Sequence, residues 1–222
     1  MRVVEPRSRA RGQAVIAALF VEKGGAYYGI PDVDPWDQER DARLYPGPWP
    51  VVAHPPCERW GRYWYGQAGT PVGSPKRKKL GDDGGCFASA LESVERWGGV
   101  LEHPEASAAW SAFGLHAPPR SGWVNTRKGW TCCVEQGHYG HRARKATWLY
   151  LVGAPPPSLR WGKAHGKIRL EEGFHSADER ARKRAMRSPI ERVTGKQRAA
   201  TPPEFRDLLL SMARSVAQER VA

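Results

Sequence analysis

Residues 51–60 read VVAHPPCERW. Val51, Val52 and Ala53 form a short apolar run with two β-branched members, the composition of a buried strand. Pro55 and Pro56 fix φ and stiffen the turn that follows. Cys57 then leaves the carboxyl end of the strand in a set direction. A rigid turn that holds a nucleophile beside His54 is one reading. A tight turn that carries a buried cysteine is the other, and only the surrounding chain separates them.

The same pattern returns at VLEHP, residues 100–104, where a second apolar run ends on polar residues and a proline. Between the two lies CFASALESVERWGG. Its Phe87, Ala90, Leu91, Val94 and Trp97 fall at helical spacing, and Gly98-Gly99 end the pattern. Strand, helix and strand in that order predict a parallel pair. Cys57 and Glu102 then emerge at one sheet edge, the edge that faces the ligand crevice in open α/β sheets.

Working outward, AVIAALFV (14–21) predicts another buried strand. GWTCCVEQGHYGHRARKATWLYLVG (129–153) predicts a β-hairpin around a basic tip, with loop and a short helix before it over 106–128. TPPEFRDLLLSMARSVAQ predicts a closing helix. Thr201 is placed as its N-cap, Pro202 at its first position, and Glu204 completes a capping box. Phe205, Leu208, Leu209, Met212 and Val216 would form its apolar stripe. The expectation is one compact Rossmann-like α/β domain: a mixed sheet over 1–158 with flanking helices and a C-terminal hairpin. A basic, partly flexible segment over 159–200 and a helix over 201–222 that packs back complete it.

A chain of 222 residues, 40% of them hydrophobic, can bury a normal core. No apolar run is long enough for a membrane span, and MRVVEPRSRARGQ lacks the apolar stretch of a secretory signal, so a cytoplasmic setting is expected. The four cysteines (Cys57, Cys86, Cys132, Cys133) include no CxxC pair and no zinc-finger spacing, so no structural metal is expected. The net charge of +12 is clustered in PRSRARG (6–12), PKRKK (75–79), GHRARK (140–145) and ERARKRAMR (179–187). Ten tryptophans are spread through the chain, several of them near these runs. Basic clusters with aromatic neighbours point to a nucleic acid, DNA in double- or single-stranded form. Lys76 and Arg77, on a loop rich in Gly, Pro and Lys (66–85), are candidates to close over its phosphates.

Three groups of residues are candidates for chemistry. Cys57 needs a lowered pKa to act as a thiolate, which Arg59, His54 or a helix N-terminus would supply. Glu102 would hold or protonate a ring nitrogen, and it serves equally well as a salt-bridging residue. Arg142 and Arg144 alternate, so an extended backbone sets both on one face, where they would hold a phosphate or a base oxygen. A surface basic turn accounts for them as well. The acidic run Asp32, Asp34, Asp37, Glu39 and Asp41 is a separate candidate, for magnesium in a nuclease.

Taken in order, these motifs resemble those of the DNA cytosine-5 methyltransferases. LFVEKGG (Phe20, Gly24, Gly25) is similar to the family's opening strand and glycine turn. DVDPW (Asp32, Asp34, Trp36) is similar to its acidic cofactor motif. Pro55-Pro56-Cys57 matches its nucleophile loop. Glu102-His103-Pro104 resembles its Glu-Asn-Val strand end, and Tyr139, Gly140, Arg142 and Arg144 resemble its arginine pair. GKQRAATPPEF (195–205) resembles the motif before its last helix. The resemblance implies a methyltransferase-like fold with S-adenosylmethionine as cofactor, held by Phe20, Gly24, Gly25, Asp32, Asp34 and Trp36. It also implies that Cys57 attacks C6 of a flipped cytosine, while Glu102 holds N3 and the amino group and Arg144 holds O2. The proline turn is also similar to the Asp-Pro-Pro-Tyr loop of amino-methylating DNA enzymes, in which Pro55 and Pro56 would clasp an extruded base and Trp60 would stack on it; Tyr139 is a further substrate-binding candidate. The small, basic chain is similar in type to phage-encoded accessory proteins. A DNA base-modifying enzyme is the expectation. A non-catalytic nucleic-acid-binding protein on the same sheet and a metal-dependent nuclease are its rivals.

Overall fold

The computed structural model describes residues 15–61, 64–65, 71–164 and 200–220. Its first strand, β1 (Ile16–Leu19), is buried along its whole length, as a strand covered on both faces must be. β2 (Val33–Trp36) pairs parallel to β1 on one side, and β3 (Val51–Ala53) pairs parallel to it on the other. A helix, α1 (Cys86–Trp97), follows β3 and leads into β4 (Gly99–Pro104), which lies parallel to β3. The strand–helix–strand expectation therefore holds. So does the stripe on α1: Phe87, Ala90, Leu91 and Val94 are buried.

A short helix, α2 (Ala108–Ala112), comes next. The chain then crosses to the far edge of the sheet and returns as β5 (Trp123–Thr126), β6 (Gly129–Glu135) and β7 (Ala146–Val152). β7 lies antiparallel to β4 and β6 antiparallel to β7. The result is a mixed α/β fold with a seven-stranded sheet in the order β2-β1-β3-β4-β7-β6-β5. The expected terminal hairpin is in fact a three-stranded meander, because β5 adds to β6 antiparallel. β2 and β5, both missing from the sequence reading, are the two edge strands. Each has only four residues, and Pro35 sits within β2, a position that an edge tolerates.

One face of the sheet presents Ile16, Ala18, Val52, Val100, Leu149 and Leu151 to the closing helix α3 (Pro203–Glu219), which buries Phe205, Leu209, Met212, Ala213 and Val216. Leu210 is buried there too, while Leu208 is only partly buried. The expected capping box does not form: Pro202, not Thr201, is the N-cap, it makes no side-chain cap bond, and Thr201 lies outside the helix. The opposite face presents Ala17, Leu19, Val51, Ala53 and Leu101 to α1 and to Trp60 and Trp110. The core reaches beyond residue 158, since Leu159 and Trp161 pack on the α3 face and Ala164 is buried. Most of the basic segment, 165–199, and the N-terminal basic run lie outside the described residues.

β1 is followed in space by β2 on one side and by β3 and β4 on the other, so the sheet order reverses between β1 and β3. The carboxyl ends of these two strands define the crevice in which α/β sheets bind their ligands. Among the described residues, no helix is long and apolar enough to cross a membrane.

Candidate functional site at the reversal of the sheet

His54 follows β3 and extends its ladder, donating its backbone N–H to the Leu19 carbonyl oxygen at 3.0 Å. That bond seats His54 on the reversal. Strand alternation places it on the α3 face with Val52, and Glu102 of β4 takes the same face with Val100. The two side chains meet: His54 Nδ1 lies 3.0 Å from Glu102 Oε2, with 13% and 12% of the side chains exposed. On its other side the imidazole carries Tyr27, from the β1–β2 connection, with Oη 2.7 Å from Nε2. Gln136, just past β6, donates Nε2 to Glu102 Oε1 at 3.2 Å and to Thr147 Oγ1 of β7 at 2.9 Å. Two side chains thus hold the carboxylate directly, and Tyr27 and Thr147 hold those two in turn.

Burial raises the Glu102 pKa, but the His54 hydrogen bond and the nearby charges of Lys145 and His54 outweigh it and bring the value down to about 2. Glu102 is a carboxylate at any ordinary pH. Cys57 sits three residues beyond His54, in a turn closed by Trp60 and Gly61 donating N–H to its carbonyl at 3.0 and 2.9 Å. Cys57 counts as an exposed residue. Its thiol still lies among enough protein for burial, and then the Glu102 carboxylate, to push its pKa up. A thiolate nucleophile would need the opposite shift. The Glu102 charge acts on the thiol more strongly than Lys145, which lowers its pKa.

On the α1 face behind the turn, His103 is fully buried against Phe87 and Trp110. Burial lowers its pKa to about 4, although the Glu102 charge and the Pro56 carbonyl pull the other way. Neither ring nitrogen reaches a partner at hydrogen-bond geometry, so the Pro56 contact acts through its dipole. Pro55 is buried and Pro56 exposed.

The remaining predicted residues go to several places. Trp60 is 7% exposed, donates to Asp83 at 2.7 Å and packs on Phe87 and Phe113, so it supports the turn from within instead of offering a face to a base. Tyr139 is likewise buried, accepting from the Arg160 N–H and packing on Phe205. Arg144 is at the right rim, but its guanidinium forks onto Glu135 at 2.8 and 2.5 Å. Glu135 also takes the Ala164 N–H at 2.8 Å. Arg142 is exposed beside it. Arg77 lies over the rings of Trp64 and Tyr65, and Lys76 is exposed on the same loop.

The residues that the resemblance assigns to S-adenosylmethionine do not form one pocket. Asp32 precedes β2, at the amino ends of the parallel strands and so at the opposite end from His54, and is paired with Arg214 of α3 at 2.7 and 3.0 Å. Asp34 is held by Trp36 Nε1 and Arg40, whose guanidinium also covers the Trp36 ring at 3.9 Å. Phe20 packs into the α1-face core with a positive φ of 58°. Gly24 and Gly25 belong to a connection, 20–32, that runs from β1 to β2 through turns without a helix. These residues do not fit that cofactor, and no step through it is derived. The acidic run is dispersed too. Asp37 accepts from Tyr28 Oη and from the Glu39 and Arg40 N–H groups, Asp41 from Arg43, and Glu39 pairs with Lys23. Among the described residues, no three His, Cys, Asp or Glu are grouped to hold a metal ion.

Tyr27, Gln136 and Thr147 were not singled out by sequence reasoning. Strand alternation in β6 and β7 carries a trace of the last two, since Val134 and Leu149 share their face; Tyr27 has no such signal. No protein-family model, curated protein or solved structure matches the chain.

Proposed function

We propose that the chain modifies a base of DNA, acting on a nucleotide drawn out of the helix onto the rim where β3 and β4 end. The observation that carries this reading is the partly buried His54–Glu102 couple beside the rigid Pro55-Pro56-Cys57 turn, at the reversal of the sheet order. A base lifted from its stack must be gripped by its edge, and a carboxylate fixed by two donors is suited to grip N–H groups. Cytosine is the favoured base, on the resemblance of the motifs. Lys76, Lys78 and Lys79 are exposed and available to the strand.

The raised thiol pKa favours a second reading, in which the rim binds a base without covalent chemistry. Mass spectrometry of nucleosides from DNA of cells expressing the wild type, Cys57→Ser or Glu102→Gln separates the two. The first reading expects a new nucleoside in the wild type alone, with a mass that names the group transferred. Tight DNA binding with no new nucleoside in any strain would overturn it in favour of the second.

A further inference from the structure

Not every large ring of the chain is spent on the core. Trp64 and Tyr65 are partly exposed, and among the described residues neither packs on either face of the sheet. Their rings meet edge to face, with centroids 5.6 Å apart at 88°. The Arg77 guanidinium lies over both, 5.6 Å from the Trp64 centroid and 4.9 Å from that of Tyr65, within cation–π range. Burying either ring would be favourable, so two of them left side by side in water call for a physical reason.

The surroundings say what the pair meets. Trp64 donates its N–H to the Gly61 carbonyl at 3.0 Å, and Gly61 donates to the Cys57 carbonyl at 2.9 Å. The rings therefore sit one turn beyond the rim. Lys78 donates its N–H to the Tyr65 carbonyl at 3.0 Å, which ties the basic loop to the pair. That loop exposes Lys76, Lys78 and Lys79. It also exposes Val72 and Leu80, two of the four large apolar side chains that the described residues leave in solvent. A merely solvated basic surface has no use for the rings, and an apolar docking patch has no use for the charge. Ring faces for bases beside cations for phosphates are what a single strand of nucleic acid asks for. A paired base has both faces covered by its neighbours in the stack, so only an unpaired one has a face to give.

We infer that Trp64 and Tyr65, with Arg77 over them, form a stacking platform for an unpaired base next to the one at the rim, so that the protein grips its DNA as a single strand on this side. The place of that base in the strand rests on the base-modifying reading above; the platform itself rests on the rings and the charges. Stacking uses the face of a base and not its edge, so the platform accepts any base.

The test is binding of the full chain to three fluorescein-labelled probes of about twelve units: oligothymidylate, the same sugar-phosphate chain without bases, and a duplex. The wild type is expected to bind oligothymidylate roughly tenfold more tightly than the baseless chain. Trp64→Ala should lose most of that advantage. It should keep its affinity for the baseless chain and its salt slope, because the phosphate contacts remain. Trp64→Leu keeps apolar bulk without a π face and should behave like Trp64→Ala, whereas Trp64→Phe should retain part of the advantage. Equal binding of the two single strands by the wild type overturns the inference, and so does a Trp64→Ala variant that weakens all three probes alike. If Trp64→Ala does not fold, Trp64→Leu and the wild-type comparison decide it. A cell that makes no new nucleoside removes base modification, while a base-dependent loss in Trp64→Ala still supports the platform. A new nucleoside made by a Trp64→Ala variant that binds oligothymidylate like the wild type removes the platform and leaves the modification.

Discussion

Two side chains on adjacent positions of β4 titrate far from their ordinary ranges, and they do so for different reasons. His103 is held neutral by burial, with a pKa near 4, while its unfolded value is 6.5. Between those values the unfolded chain binds more protons, so stability falls as pH drops from about 6.5 toward 4. Glu102 is held ionised, with a pKa near 2 against 4.5 when unfolded. Its contribution is complete above about 4.5 and is lost as pH falls toward 2. Each contribution is on the order of 3 kcal/mol. Urea unfolding from pH 7 to 3 should show both windows. His103→Phe is expected to flatten the upper one and leave the lower. An unchanged slope between pH 6.5 and 4.5 in that variant would mean that His103 is not buried neutral. Glu102→Gln should do the reverse. These residues also show why half of the site was legible. Both strands carrying His54 and Glu102 have a plain apolar run, so their carboxyl ends could be placed side by side from the sequence. Tyr27 reaches His54 through a connection with no periodic pattern, and nothing local marks it. The thiol shift was not legible, because it depends first on burial that no motif records and then on Glu102, 45 positions away in the chain.

At the scale of elements, the junction of α1 with β4 decides whether the sheet can form. Gly98 ends the helix at a φ of 66°, and Gly99 opens β4 at a φ of 119°. A Cβ on Gly99 would run into the backbone oxygen and nitrogen of Val51, within the ladder that joins β3 to β4. Both the conformation and the space demand glycine there. Gly99→Ala is expected to cost at least about 3 kcal/mol, seen as a fall in the urea midpoint, and to separate the strands that bring His54 to Glu102. A loss below about 1 kcal/mol would show that the junction yields. The Gly-Gly pair was visible as a helix stop, but its role in strand spacing was not, because close approach is a property of the partner strand. α1 and α3 were legible because each has an apolar stripe of helical period over a long stretch. The edge strands β2 and β5 were not. Each is four residues long and only partly buried, so it lacks both the length and the alternation that sequence reading uses.

Across the whole molecule, the excess of positive charge is not spent evenly. Several cations near the rim already have carboxylate partners: Arg144 and Arg120 share Glu135, and Arg120 also reaches Glu105 at 2.8 Å. These arginines organise the rim and have little charge left over for a phosphate. Lys76, Lys78 and Lys79 are exposed on the loop that returns to Tyr65 and Arg59 through backbone bonds at 3.0 Å, so that loop is fastened close to the Cys57 turn. Each lysine that neutralises a phosphate releases a counterion, and the logarithm of affinity then falls with the logarithm of salt by roughly 0.9 per contact on duplex DNA. Replacing Lys76, Lys78 and Lys79 together with glutamine is therefore expected to lower the salt slope by up to about 3. It should weaken binding to cytosine- and uracil-bearing duplexes alike, because phosphate contacts carry no base information. Glu102→Gln should behave in the opposite way, keeping the slope and losing the preference for cytosine that the proposed function expects. Titrations of both variants at several salt concentrations check this. If the lysine variant kept the wild-type slope, the loop would not be the strand-binding surface that the proposed function requires, and any charge that draws DNA would have to lie elsewhere on the chain.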